Sequence, residues 1–456
     1  MRTFSVQVLG CRVNHYEGEQ IAYLLRDRGL VQVADPSAAD LRVVHTCSVT
    51  HEAARKSAQL ARRMTRLPAP SKGRTLPPGD RAKTVVTGCW ATSDPTTAGG
   101  IPGIDAVISH HEDLPGRLHT LLDHWLVPDA GGGRSIRLPV LQSPPAAHQR
   151  AFLKVQDGCD AHCTYCIIPR LRPRLSSKPV EEVVQEAREL VARGHQEIVL
   201  TGIFLGAYGQ PTALRRRQPR ASEDSMICLI EALCTRVDGL RRLRLSSLEP
   251  GDITPRLIQV LSSCRQVVPH FHLPLQSGSD AILRRMNRQY RRKDYLLMVD
   301  QLRAAFDRPA ITTDIIAGFP GETEADFAQT LDLVEQVEFA HIHAFPFSPR
   351  PGTAAGRWKD RFLPAAVVQR RMSELQRQSQ RHSLAFRQRF LGQTVEVLVE
   401  RGWSTTMRHG RCERYFSVCF AGDTARPGDL IPVRVEQVTL QGTWGSAVTA
   451  DGARAR

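Results

Sequence analysis

Three cysteines on one short loop are the strongest chemical signal in the sequence. Cys159, Cys163 and Cys166 lie in QDGCDAHCTYCIIP with C-x3-C-x2-C spacing, at the end of a predicted strand. Three thiolates on a tight loop can bind three irons of a [4Fe–4S] cluster and leave the fourth iron open to an exogenous ligand. A structural zinc site usually has four protein ligands, and only His162 lies nearby, badly placed to chelate together with the adjacent Cys163. The spacing therefore favours a catalytic iron–sulfur cluster over zinc.

A second set of cysteines is dispersed along the first part of the chain. Cys11 in LGCRVN, Cys47 in HTCSVT and Cys89 in TGCW each directly follow a short β-rich run. Because the carboxyl ends of parallel strands share one edge of a sheet, we expect the three thiols to converge. A single cysteine of this kind is more often a small buried apolar residue. Three such placements together favour a second cluster.

The other five of the eleven cysteines match no ligand spacing, and we predict that they are core residues. They are Cys228, Cys234, Cys264, Cys412 and Cys419. Eleven cysteines in a chain of 456 residues are too few for a disulfide scaffold. In a reducing compartment, spaced cysteines more often bind metal or carry out redox chemistry.

Alternating strands and helices must position both sets. Short β-rich runs at Thr3–Gly10, Leu41–Thr46 and Lys83–Gly88 alternate with helical patterns at Tyr16–Arg28 and His51–Arg66. This βαβαβ order predicts a parallel α/β domain over residues 1–125. A polar insert, Pro68–Arg81, is predicted to be a surface loop, and the Pro- and Gly-rich residues 126–149 are predicted to be a domain linker.

Six further βα units follow over residues 150–363. Their strands are predicted near AFLKVQ, QEIVLTG, RRLRLSS, VPHFHLPL, AITTDIIAGFP and AHIHAFPF, and five helical patterns intervene. Two units fewer than eight indicate a partial TIM-like (βα)6 barrel, interrupted by the Arg-rich loop Pro211–Asp224.

A helix over 364–390 is predicted to be a spacer whose arginines have no special role. The short strands of residues 391–456 predict a small antiparallel β-barrel, OB-like in kind.

Composition narrows the class of protein. With 41% hydrophobic and 23% charged residues, the chain is neither collagen, coiled coil nor wholly disordered. The sequence has no stretch near ~18 uncharged apolar residues and no signal-peptide pattern at its start, so we expect a soluble cytoplasmic protein without membrane contact. The 61 basic residues outnumber the 46 acidic ones and give a net charge of +15. This surplus favours a polyanionic partner such as nucleic acid.

The C-x3-C-x2-C loop at the first strand of a six-unit parallel barrel resembles that of the radical S-adenosylmethionine enzymes. The resemblance implies that the open iron binds the amino and carboxylate groups of S-adenosylmethionine, which is then cleaved to a 5′-deoxyadenosyl radical. Tyr165 matches the position that packs near the adenine, although ordinary packing also explains an aromatic residue there. Polar residues at barrel strand ends, Thr201 with Gly202 and Gln276 with Ser277, are expected to bind the cofactor. Such residues also cap helices.

Two cysteine triads in one chain resemble the methylthiotransferases, which insert sulfur and a methyl group at an unactivated C–H bond. The resemblance extends over almost the whole chain, through LGCRVNHYEGEQ, HTCSVTHEAARKS, GCW, HLPLQSGSD and GFPGETEADF. The last barrel resembles the RNA-binding TRAM module. The family implies two [4Fe–4S] clusters and two S-adenosylmethionine molecules per turnover. It also implies a small electron-donor protein such as flavodoxin or ferredoxin, and a monomeric enzyme.

Three branches of this family differ in substrate. GCRVNHYEGE and RLSSLEP most resemble the branch that modifies N6-threonylcarbamoyladenosine at position 37 of tRNA to its 2-methylthio derivative. The alternatives are isopentenyladenosine at position 37 of tRNA and an aspartate of a ribosomal protein. A non-catalytic iron–sulfur RNA-binding protein and a radical enzyme without sulfur transfer are more distant readings, because they leave one or both triads unexplained.

The sequence departs from the family pattern at two places, and it contains a set of arginines that predicts a basic surface. The sequence IIPRLRPRLSS after Cys166 leaves the roles of three arginines open: Arg170, Arg172 and Arg174. Trp90, directly after Cys89, is interpreted as a core residue rather than a shield for a cluster. A set of barrel arginines, with the loop at 215–220, is predicted to contact tRNA phosphates. This set is Arg284, Arg285, Arg288, Arg291 and Arg292.

Overall fold

The computed structural model describes residues 1–68, 81–125, 149–214, 224–402, 407–422 and 425–448. They divide into two compact units, Met1–Pro144 with Cys166–Arg174, and Pro145–Tyr165 with Leu175–Arg456. Most of the polar insert, nearly all of the predicted linker and the 215–220 loop lie outside the described residues. No described helix is long and apolar enough to span a membrane.

A parallel five-stranded sheet forms the first unit. Its strand order is β2-β1-β3-β4-β5. The elements are β1 Thr3–Val8, α1 Arg12–Asp27, β2 Val31–Gln32, β3 Leu41–Thr46, α2 His51–Arg66, β4 Lys83–Gly88, α3 Cys89–Ser93, α4 Pro95–Gly99, β5 Ala106–Ile108 and α5 Leu114–Trp125. Apolar side chains cover both faces, and Trp90 packs with Val44 and Met64, as the packing interpretation predicts. The predicted parallel α/β domain is confirmed, with two edge strands too short to be read from the sequence.

A partial parallel barrel occupies much of the second unit. Its strands are β6 Arg150–Asp157, β8 Glu197–Gly202, β9 Arg242–Leu245, β10 His270–His272, β11 Ala310–Ala317 and β12 His341–Pro346, and β7 Ser176–Ser177 pairs antiparallel to β6. Isolated bridges, Leu243 to Val267 and Ser247 to His272, link the two halves of the sheet. The helices are α7 Val180–Ala192, α8 Asp224–Arg236, α9 Pro255–Ser263, α10 Asp280–Arg285, α11 Arg292–Ala305 and α12 Glu324–Val337. The predicted six-strand partial barrel is therefore confirmed. A short helix, α6 Ile168–Leu171, belongs to the first unit.

The helix after the barrel corrects one prediction. Helix α13, Ala365–Gln388, packs along β12 and α12 instead of leading away as a spacer. Arg371 on this helix is fully buried and forms a 2.6 Å ion pair with Glu322. Ser379 accepts a 3.0 Å hydrogen bond from the backbone N–H of Ile342 in β12. The helix is thus part of the barrel wall, and at least one of its arginines is structural.

Five strands close the last domain into a small barrel in the order β13-β14-β15-β17-β16. They are β13 Thr394–Val399, β14 Met407–Cys412, β15 Ser417–Ala421, β16 Leu430–Val438 and β17 Thr443–Ala447. The predicted barrel is confirmed, but one of its pairings, β15 with β17, is parallel. The run RCERYFSVCF contains two strands, separated by a turn in which Tyr415 has a φ of +72°.

The five cysteines predicted to lie in the core divide by exposure. Cys412 and Cys419 are buried in the small barrel, whereas Cys234 and Cys264 are only half-buried. Cys228 is exposed, so the prediction was wrong for this residue. It lies on α8, where it is exposed between two buried neighbours, Ile227 and Leu229.

Candidate functional site

The three dispersed cysteines follow three neighbouring strands of the first unit. Cys11 comes after β1 and is the N-cap of α1, Cys47 follows β3, and Cys89 begins α3 directly after β4. Burial raises the pKa of Cys89 to about 12, and the charges of Cys11 and Cys47 add to this rise. The sheet therefore brings the three thiols to one edge, as the strand pattern predicts. Their role as cluster ligands stays a prediction.

Close backbone contact fixes this corner of the sheet. Gly10 has a φ of +111°, and a Cβ placed on it would lie 2.7 Å from Cβ and 2.9 Å from Sγ of Cys47. Asn14 is buried, and its Nδ2 donates to the carbonyl oxygens of Leu9 at 2.7 Å and Thr46 at 2.9 Å. Asn14 thus joins the segments that carry Cys11 and Cys47. It was not singled out from the sequence, although it is the fourth residue of LGCRVN after the glycine.

The donor set of this corner is three thiols, which fit an iron–sulfur cluster. Within the ranges that the structure describes, no three His, Cys, Asp or Glu side chains are arranged to hold a single metal ion. A [4Fe–4S] cluster spreads its thiolates over different irons, so its ligands stand farther apart than those of one ion. Soft thiolate donors are also those that iron–sulfur clusters require.

The loop of the C-x3-C-x2-C motif follows β6. Cys159 is 8% exposed and Cys163 is half-buried, and both belong to the barrel unit. Cys166 opens the segment that belongs to the first unit. His162 is exposed and has a φ of +43°. None of these three cysteines forms a disulfide within the described part of the chain. Their role as cluster ligands stays a prediction.

A buried arginine lies against this loop. Arg288 is 6% exposed, donates to Sγ of Cys163 at 3.2 Å and pairs with Glu249 Oε1 at 2.5 Å. Its Nη1 also lies 3.4 Å from the hydroxyl of Tyr165, and its guanidinium lies over the ring of Tyr290 at 4.9 Å. Burial raises the pKa of the Cys163 thiol, and the positive charge of Arg288 opposes that rise. The predicted contact of Arg288 with tRNA phosphate was wrong, because its side chain is buried and committed to Glu249.

The rest of the predicted basic surface is smaller than expected. Arg284 and Arg291 are exposed, and exposed Arg285 donates to the carbonyl of Gly321 at 2.7 Å. Arg292 is half-buried and pairs with Asp332. A contact of the three exposed arginines with tRNA stays a prediction.

Unpartnered hydroxyls mark the carboxyl ends of two neighbouring barrel strands. Thr201 in β8 is 1% exposed, Ser246 directly after β9 is 8% exposed, and within the described part of the chain neither hydroxyl has a hydrogen-bond partner. A buried hydroxyl without a partner is costly unless something else binds it. This feature supports the prediction for Thr201, and it identifies Ser246, which sequence reasoning missed although it lies in RLSSLEP.

The other predicted cofactor residues have different surroundings. Gln276 has a φ of +66°, a conformation that non-glycine residues adopt mainly under constraint. Ser277 is fully buried, lies 3.4 Å from the hydroxyl of Thr330 and accepts from the N–H of Ser279. Gly202 adjoins Gln156, and Tyr165 packs with a core group that includes Phe319. The cofactor-binding roles of these four residues stay predictions.

Arg172, whose role the sequence left open, is a buried structural residue. It is 6% exposed and forms two hydrogen bonds with the carboxylate of Glu17, at 2.7 and 2.6 Å. Arg170 and Arg174 are exposed. The three arginines after the cysteine loop thus divide into one structural residue and two surface residues.

Family models match three successive parts of the chain. Residues 3–109 match the uncharacterized protein family UPF0004, residues 153–334 match the radical SAM superfamily, and residues 388–448 match the TRAM domain.

Similar proteins match over almost the whole length. The threonylcarbamoyladenosine tRNA methylthiotransferase MtaB of Bacillus subtilis (strain 168) is 34% identical, covering 95% of this chain and 94% of that protein. The protein of the same name from Thermotoga maritima is 35% identical, with 97% and 96% covered. A tRNA-2-methylthio-N(6)-dimethylallyladenosine synthase of Mycobacterium bovis is 37% identical, covering 96% of this chain and 85% of that protein.

The solved structure of the radical S-adenosylmethionine methyltransferase TsrM from Kitasatospora setae has a similar fold. Its TM-score is 0.56 at 14% identity, with 78% of this chain and 77% of that chain covered. At this identity the likeness concerns the fold alone.

Proposed function

The chain belongs to the radical S-adenosylmethionine tRNA methylthiotransferase family, and we propose that its substrate is N6-threonylcarbamoyladenosine at position 37 of tRNA. The product is then the 2-methylthio derivative of that nucleoside. Two relatives named for this substrate are matched over 94% and 96% of their own length. Relatives named as dimethylallyladenosine synthases are matched over 60% to 85% of theirs. This end-to-end correspondence is what favours threonylcarbamoyladenosine over isopentenyladenosine.

Two cysteine triads in one chain are the observation that supports sulfur insertion. One [4Fe–4S] cluster and S-adenosylmethionine come with the superfamily. We assign that cluster to Cys159, Cys163 and Cys166. We assign a second cluster to the N-terminal triad: Cys11, Cys47 and Cys89. When bound, the clusters supply a radical able to open a C–H bond that general acid–base groups cannot, and a place for the sulfur to be transferred.

The protein's own side chains position these groups. Arg288 donates toward Cys163 and is itself fixed by Glu249, so the orientation of that sulfur is set before any cluster binds. The unpartnered hydroxyls of Thr201 and Ser246 are suitable donors to S-adenosylmethionine. Tyr165, Gly202, Gln276 and Ser277 are further contacts that we propose for the cofactor.

Positive charge and the TRAM domain support the binding of tRNA. We propose that the TRAM domain and the exposed arginines of the barrel bind the anticodon arm through phosphates, which position an RNA without reading its sequence. We also propose that the enzyme acts as a monomer and receives electrons from a small protein such as flavodoxin or ferredoxin.

Nucleoside analysis tests the substrate directly. Anaerobically reconstituted enzyme is incubated with S-adenosylmethionine, a chemical reductant and one of two tRNAs, carrying either threonylcarbamoyladenosine or isopentenyladenosine at position 37. Digestion and mass spectrometry should find the methylthio nucleoside only from the first tRNA. Modification of isopentenyladenosine alone would overturn the substrate assignment while leaving the family in place. A C159A/C163A/C166A variant controls for contaminating activity.

A further inference from the structure

A connected group of polar side chains in the first unit, which we call the Arg172 hub, consists of buried Glu17, His45 and Arg172 and half-buried His110. Arg172 Nη1 donates to Glu17 Oε1 at 2.7 Å and its Nη2 to Oε2 at 2.6 Å. Nη2 also lies 2.9 Å from His110 Nε2, and His45 Nε2 lies 3.1 Å from Glu17 Oε2. Because a guanidinium can only donate, Nε2 of His110 accepts this bond.

The Arg172 hub reaches all three segments that carry the dispersed cysteines. Glu17 lies on α1, the helix that Cys11 caps. His45 lies in β3, two residues before Cys47. His110 Nε2 is 3.6 Å from Sγ of Cys89. A single buried ion pair therefore connects the surroundings of three thiols that are distant in sequence.

Apolar packing places the segment of Arg172 over the third thiol. Ile167 and Leu171 form one buried group with Cys89. The N–H of Arg172 donates to the carbonyl of Ile168 at 2.8 Å and closes the short helix α6. Cys89 is consequently 3% exposed. The same segment begins at Cys166, the last cysteine of the C-x3-C-x2-C loop.

We propose that Arg172 is a positioning residue for the N-terminal cysteine site and anchors the segment 166–174 over Cys89. The inference rests on the proposed function, in which the N-terminal triad binds a cluster. Arg172 orients Glu17 and His110, and these residues with Ile167 and Leu171 fix the surroundings of the thiols.

Arginine suits this role better than lysine. Two parallel N–H bonds to one carboxylate and a further bond to an imidazole require a planar group with several fixed donors. A lysine keeps the positive charge but cannot make the bidentate contact. R172K therefore keeps the positive charge and removes the bidentate contact, whereas R172M removes both the charge and the contact. Arg174 is exposed two residues away in the same segment, so R174K and R174M are matched controls.

The first readout uses the cluster-free protein. Alkylation of Cys89 by N-ethylmaleimide, followed by mass spectrometry, should be ~10-fold faster in R172M than in wild type and intermediate in R172K, because loss of the buried hydrogen bonds lowers the free energy of local opening. Hydrogen exchange over 166–174 should rise in the same order. R174M should match wild type. Unchanged alkylation and exchange in R172M and R172K would overturn the proposal. Far-UV circular dichroism checks that each variant is folded. If R172M is unfolded, the comparison of R172K with wild type decides the test.

The second readout separates this inference from the proposed function. After anaerobic reconstitution, R172M should lose iron from the N-terminal site and keep the iron of the barrel site, whereas R174M should keep both. If wild type itself binds only one cluster, the proposed two-cluster function fails, and the alkylation result alone decides whether Arg172 positions the segment. Full iron content at both sites in R172M would contradict a positioning role.

Discussion

The two cysteine sites of this protein are built in different ways. The barrel triad lies within eight residues of one loop, so its spacing is local, whereas the N-terminal triad depends on three strands and on a segment far along the chain. Each site has a buried arginine paired with a glutamate. Arg288 donates directly to a cysteine sulfur, but Arg172 is separated from Cys89 by His110. The local site therefore depends on one loop and one buried donor, whereas the dispersed site depends on the whole sheet.

The largest contrast should come from removing the barrel triad. In a C159A/C163A/C166A variant, we expect S-adenosylmethionine cleavage and methylthio formation to fall below detection, because no open iron remains to bind the cofactor. The matching C11A/C47A/C89A variant should lose methylthio formation and still produce 5′-deoxyadenosine. Chromatography of the nucleoside products measures both. Equal loss of cofactor cleavage in the two variants would remove the functional distinction between the sites.

A smaller effect should follow from changing the direct donor at the barrel site. R288K keeps a positive charge near Glu249 but cannot bind the carboxylate and Cys163 together, so we expect ~10–100-fold slower cofactor cleavage and an altered electron paramagnetic resonance signal of the reduced cluster. R265K, at an exposed position shortly after α9, is the control. A spectrum and a rate identical to wild type would show that the Arg288 contact has no influence on the site.

The smallest expected effect separates close packing from backbone strain at the N-terminal site. Gly10 and Gly29 both have positive φ, but a Cβ on Gly29 meets nothing within 4 Å, whereas one on Gly10 meets Cys47. G10A and G29A should each lower the free energy of unfolding by roughly 1–2 kcal/mol from strain alone. Only G10A should also reduce N-terminal iron, since it displaces Cys47. Equal iron content in the two variants would show that the Gly10 contact is not needed.

Much of this arrangement could be predicted from the sequence because it depends on local patterns. Strand periodicity and the position of each cysteine after a strand indicated one shared edge. The buried arginines could not be found in this way, since Arg172 and Arg288 find their partners 155 and 39 residues away. One signal was present: Glu17 occupies a position on the apolar face of α1, between Val13 and Ile21. A carboxylate there requires a buried cationic or hydrogen-bonding partner.

The packing of α13 in the barrel wall also could not be predicted from the sequence. The arginine-rich composition of α13 indicated a polar spacer, because arginine is usually exposed. Burial of Arg371 against Glu322 could not be deduced without knowing that the helix packs on β12. The predicted phosphate contact of Arg288 failed for a similar reason.

Counting iron and sulfide shows whether the protein binds two clusters. Wild type and the C11A/C47A/C89A variant are reconstituted anaerobically, and iron and acid-labile sulfide are measured per chain. Two intact sites predict about eight irons in wild type and about four in the variant, with sulfide in equal number. About four irons in both proteins would contradict the presence of a second cluster, because the N-terminal cysteines would then bind none.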